Sequence, residues 1–202
     1  MKVTIKSAEE IEKMRRAGEI LAAVHQNLAR EIKPGMSTLD IDRLGEEMIR
    51  GYGCIPSFKN YCGYPASICV SVNEEVVHGI PTDERIIKEG DIVSLDAGVI
   101  YEGYHSDAAR TVAVGEVSEE AKLLIERTRQ SFIEGIKKQW QEIIFMIFPQ
   151  QLVTMQISLD MEWSRIFVDM ELEAIFMKNR RFIITNFFRN RDMDLQNMEM
   201  RQ

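Results

Sequence analysis

Glycine disappears from this chain after Gly135. Twelve glycines are present, all at or before that residue, and residues 136–202 contain none, although glycine averages about 7% of residues in proteins. Residues 139–202 also lack His, Tyr and Cys, while holding eight of the twelve Met and both Trp. A turn-rich domain draws on Gly for turns and helix ends, so a long glycine-free stretch excludes an ordinary continuation of the fold. Cysteine is scarce as well. Cys54, Cys62 and Cys69 form neither a CxxC pair nor an even framework, which excludes a disulfide scaffold and a cysteine zinc site and leaves reduced thiols. Basic excess is missing: a net charge of -7 and pI near 5.2 argue against a nucleic-acid-binding surface. No run reaches the roughly eighteen apolar residues of a membrane span, and the start, MKVTIKSAEE, has no apolar signal core. The expectation is a cytoplasmic protein with no membrane partner.

What is present reads as helices followed by antiparallel strands, an α+β pattern. Ser7 and Glu10 stand in capping-box spacing before Ile11, Met14, Ala17, Leu21, Val24 and Leu28, which recur at helical intervals until Pro34-Gly35. A second helix is expected from Ser37 to Gly51, and a third from Ser118 to about Lys137. Between them lie strand-like runs at Ile68–Val72 and Glu75–Gly79, then an alternating stretch from Asp91 to Val114 that folds back at Tyr101–Tyr104.

Two carboxylates occupy the arms of that hairpin. Folding at the Tyr-Glu-Gly-Tyr turn sets Asp96 roughly opposite Asp107. Directly opposed residues have Cβ atoms about 5 Å apart, where like charges destabilise the pair, so one must take a proton or a cation must sit between them. By themselves, isolated aspartates on a hairpin are most often solvated or turn-capping groups. Likewise His78 reads as a surface histidine, Tyr61 and Tyr64 as loop aromatics, and Cys69 as a small core residue.

The stretches Asn60 to Pro81, NYCGYPASICVSVNEEVVHGIP, and Glu89 to Gly115, EGDIVSLDAGVIYEGYHSDAARTVAVG, together with the opening helix EIEKMRRAGEIL, resemble type I methionine aminopeptidase. That family comprises metallopeptidases of the pita-bread (creatinase/aminopeptidase) fold, and the resemblance covers residues 1–138. It implies an α+β chain carrying the first half of that fold, with an atypical segment at 139–202. It implies removal of the initiator methionine from nascent proteins, with two divalent ions (Co, Mn, Fe or Zn) as cofactors. Asp96 would chelate one ion and Asp107 would bridge both. His78 would contact the substrate near the scissile bond as the catalytic histidine. Tyr61, Tyr64 and Cys69 would wall the methionine pocket, with Phe58 at a more variable position. Partners would be peptide or nascent-protein N-termini beginning with Met, with the ribosome nearby, and the folded chain would be a monomer. Lacking its second half, it would expose a large apolar face.

The tail departs from the family, and the genetic code offers a reading of why. In the frame starting at the third base of each codon, Met146-Ile147 forces Asp, and Met161-Glu162 and Met170-Glu171 each force Gly. Val168 to Glu173 permits Gly-His-Gly-Ile-Gly, and Phe176-Met177-Lys178 permits His followed by a forced Glu. These hidden motifs resemble the family's remaining histidine elements. The expectation is a one-base frameshift near Lys137 or Lys138, leaving an incomplete metal site and an impaired enzyme. The alternative is a noncatalytic pita-bread fragment that acts as a binding module or has no function.

Overall fold

A computed structural model describes residues 6–139. The expected tail, 139–202, lies outside the described residues from Trp140 onward, and with it the hidden-frame motifs.

Two helices open the chain. Helix α1 spans Ala8–Glu31 and α2 spans Thr38–Gly51. Both begin with the capping box: Ser7 and Ser37 accept from the backbone N–H three residues on, and the side chains of Glu10 and Asp40 reach back to the cap N–H. The short strand β1, Ile55–Pro56, and a 3₁₀ turn at Tyr61–Gly63 lead into β2, Ile68–Val72. Strands β3, Ile92–Tyr101, and β4, Tyr104–Ala113, form the expected hairpin, followed by helix α3, Glu119–Gln139. The run Glu75–Gly79 is not a strand; it turns, and only Gly79 returns to the sheet, where Val70 N–H donates to its carbonyl at 3.0 Å.

All strand pairings among the described residues are antiparallel, with β1 and β2 along one edge of β3 and β4 along the other. Alternation then sorts side chains by face. Ile68, Val70, Val72, Val93, Leu95, Ala97 and Val99 point one way, and each is buried against Leu21, Val24 and Leu28 of α1 and Ile41 and Ile49 of α2. On the opposite face stand Cys69, Ser71, Ser94, Asp96, Gly98, Asp107, Ala109 and Thr111. This second face, called the open face below because no helix packs on it, is small and polar, and Cys69, Ser71 and Asp96 on it are buried.

Polar ties fix the sheet on its helices. The Oδ1 of buried Asp42 on α2 accepts from Ser67 N–H at 2.8 Å and Ile68 N–H at 2.9 Å, anchoring the start of β2. Glu46, one turn on, accepts from Ser67 Oγ at 2.8 Å and pairs with Lys59 and Arg50; those donors hold its carboxyl down at about 2. On α1, His25 Nε2–H donates to Ala108 O of β4 at 2.9 Å, and burial holds its ring below the usual histidine value. Replacing Asp42 with Ala strands two buried amides, and we expect urea unfolding to show a loss of about 2–5 kcal/mol.

Candidate metal centre

The hairpin turn decides the register of the site. Glu102 has φ 46° and Gly103 has φ 83°, so both central residues are left-handed, as a two-residue type I′ turn requires. Tyr101 therefore pairs with Tyr104, and counting back places Ala109 opposite Asp96 and Gly98 opposite Asp107. The two aspartates are diagonal neighbours, not directly opposed as the sequence suggested. They still share a face, at a Cβ separation of up to about 7–8 Å. That spacing leaves room for an ion between the carboxylates.

Electrostatics at the pair follow from burial. Asp96 is 7% exposed, and its Oδ1 is buried without a hydrogen-bond partner. Burial pushes its carboxyl up to about 6, and a hydrogen bond with Asp107 pulls the other way. Asp96 therefore holds its proton to higher pH than an ordinary aspartate. A divalent ion would replace that proton. Two hard oxygen donors on one face, one of them orphaned, fit part of a divalent-cation site. Among the described residues, no group of three or more His, Cys, Asp or Glu is placed to hold a metal.

The remaining expected residues lie around the pair unevenly. Cys69 of β2 pairs directly with Asp96, and burial pushes its thiol up to about 12. Without a bound metal it is therefore a neutral thiol. Tyr64 O–H is shared between Ile68 O and Gly79 O, both at 3.1 Å, and burial raises its phenol, with Cys69 a further hydrogen-bonding neighbour. Phe58 is half-buried against Gly98, where an added Cβ would lie 3.0 Å from Phe58 Cε1. Tyr61 is 70% exposed on the turn leading to Tyr64.

His78 is exposed and holds φ 57°, a left-handed conformation uncommon for a residue with a Cβ. The neighbouring Gly79 explains how that conformation is kept. Its N–H donates to Ser71 Oγ at 3.0 Å, its carbonyl accepts from Val70 and Tyr64, and a Cβ there would meet Val70 O at 2.3 Å. Sequence reading missed Ser71, Gly98 and Asp42. A glycine inside an alternating strand, as at Gly98, is the one available signal, since it marks close approach of another segment.

The family model for metallopeptidase family M24 matches residues 12–144. Over 136 residues the chain is 54% identical to the methionine aminopeptidase of Clostridium acetobutylicum, covering 67% of this chain and 54% of that one. Methionine aminopeptidase 1 of Bacillus subtilis is 47% identical over the same length of alignment, again covering 67% of this chain and 54% of the relative. The solved structure of methionine aminopeptidase from Thermotoga maritima superposes with a TM-score of 0.65 at 44% identity, covering 67% of this chain and 55% of that one. The chain thus spans about half the length of the relatives it matches. The helices and sheet described above are the first half of the pita-bread fold.

For the metal-free protein the proton linkage has a definite sign. Because Asp96 is raised from 3.8 to about 6, its contribution is full below the ordinary carboxylate value and is lost as pH rises through about 6. Urea unfolding should show wild-type stability falling by about 1–3 kcal/mol more than that of Asp96→Asn between pH 4 and 7. An identical slope in the two proteins would contradict it.

From the family match and the fold, the chain belongs to metallopeptidase family M24.

Proposed function

We propose that this chain carries the first half of a methionine aminopeptidase site, with residues 1–138 as the aminopeptidase part. The observation that carries the reading is the buried Asp96 with its orphaned Oδ1, sharing a face and a hydrogen bond with Asp107. Asp96 and Asp107 would hold divalent ions of the Mn, Co, Fe or Zn class. Such ions activate water and polarise a carbonyl when bound. His78, held at its strained φ beside Gly79, would hydrogen-bond the substrate near the scissile bond. Tyr64, Cys69 and Phe58, with Tyr61 at the rim, would form the wall for an unbranched thioether side chain, for which a neutral thiol and aromatic rings are suited partners. The substrate is a peptide or nascent protein beginning with Met, met in the cytoplasm near the ribosome by a monomeric chain.

Residues 139–202 fit a different origin. We infer that they are the product of a one-base frameshift near Lys137 or Lys138, on the strength of the forced Asp and Gly codons and the permitted histidine motifs. Two carboxylates bind a metal pair weakly without the other ligands, so turnover by this form is low or absent. Residues 139–202 carry no His to complete the donor set, and that favours the second reading, a noncatalytic fragment.

A hydrolysis assay on Met-Ala-Ser with added Mn²⁺ or Co²⁺ separates the two. Turnover that Asp107→Ala lowers at least about a hundredfold supports the enzyme, and no turnover supports the fragment. For the frameshift, genomic sequencing should show a single-base insertion or deletion near codon 137 relative to an intact frame in close relatives. An uninterrupted frame with the same tail codons in those relatives would sink the idea.

A further inference from the structure

The loop that carries His78 has few fixed points. At its start Glu75 N–H donates to Val72 O at 3.2 Å, and Glu75 Oε2 accepts from Val72 N–H at 2.8 Å. Among the described residues, no hydrogen bond is made by Val76, Val77 or His78, and Val76 and His78 are exposed. A residue with a Cβ does not keep a φ of 57° without support from its surroundings. That support begins at Gly79.

Gly79 lies flat against β2. A Cβ there would stand 2.3 Å from Val70 O and 2.9 Å from Ser71 Cα, so backbone meets backbone with no side chain between. Its carbonyl is held twice, by Val70 N–H at 3.0 Å and by Tyr64 O–H at 3.1 Å. Its N–H is held once, by Ser71 Oγ at 3.0 Å. That N–H belongs to the peptide group joining His78 to Gly79, and a peptide group is planar. Fixing the N–H therefore fixes the direction of the His78 carbonyl and the ψ of His78. Ser71 is 3% exposed, and the sheet sets its place: it pairs with Ser94, two residues from Asp96 on β3.

We propose that Ser71 is a positioning residue for His78. Its Oγ accepts from Gly79 N–H, locks the peptide plane that follows the histidine, and so keeps His78 at a constant place relative to Asp96 and Asp107. The bonds from Val70 and Tyr64 do not replace it, since both end on the Gly79 carbonyl, one peptide group further on. The inference rests on the reading of His78 as the residue that meets the substrate.

Two-dimensional NMR of the full chain with Zn²⁺ tests this, using wild type, Ser71→Ala and Ser71→Thr. Loss of the hydroxyl should speed amide hydrogen exchange at Gly79 about tenfold or more while Val93 and Leu95 on β3 keep their rates, and Ser71→Thr should return Gly79 to within about threefold of wild type. Titrated Met-Ala-Ser should move the His78 ring resonances of the wild type, with an apparent Kd about tenfold weaker in Ser71→Ala and recovered in Ser71→Thr. Unchanged Gly79 exchange or unchanged peptide affinity in Ser71→Ala overturns the inference while leaving the substrate reading of His78 intact. So does a rise in exchange shared equally by Val93 and Leu95, which marks a general loss of stability, or a Ser71→Thr chain as weak as Ser71→Ala. If Met-Ala-Ser moves no His78 resonance in the wild type, the substrate reading falls and this inference with it.

Discussion

The register of the β3–β4 hairpin is the constraint on which everything else depends. Side chains alternate with a period of two, so a slip of one residue would send either aspartate to the helix-packed face. There it would displace core residues such as Ala97 or Ala108. The left-handed pair Glu102-Gly103 closes the turn at one length only. Contacts from α1 then hold its tip: Tyr104 O–H donates to Glu10 at 3.0 Å, and Lys13 pairs with Glu102 at 3.4 Å. The first is part-buried and the second lies near the surface; each is individually weak, but they act on a turn already fixed by its backbone.

Given that register, burial divides the sheet into two surfaces with different roles. The helix side is a continuous apolar core and supplies rigidity. The open side holds hydroxyls, small residues, a neutral thiol and the two carboxylates. Ser94 and Thr111 hydrogen-bond across the strands at 2.9 Å, in the row next to Asp96. A buried carboxylate with an unpartnered oxygen is unfavourable in a purely structural wall.

Much of this was legible in the residues. Both capping boxes, the ends of α1 and α2, strand Ile68–Val72 and the turn at Tyr101–Tyr104 follow from local chemistry, and all are found where the sequence places them. Glu75–Gly79 resembles a strand because its β-branched pair, Val76 and Val77, has high strand propensity, whereas Gly79 is held on β2 by bonds to Val70, Ser71 and Tyr64. The offset of Asp96 from Asp107 was misread by one diagonal step, since pairing depends on turn length and not on the number of residues between the acids.

By itself, the sequence determined which elements form, which residues are apolar enough to face the helices, and that two carboxylates lie on neighbouring strands. Its match to family M24 extends over two-thirds of its length. Only the tertiary structure decided that Asp96 loses its solvent, that Cys69 stays a neutral thiol, that His78 is held by Gly79 on β2, and that Ser57 and Phe58 close over Gly98. Each of those depends on segments far apart in the chain meeting across one sheet. Burial, pairing register and a missing Cβ are properties of that meeting and are written in no single stretch of residues.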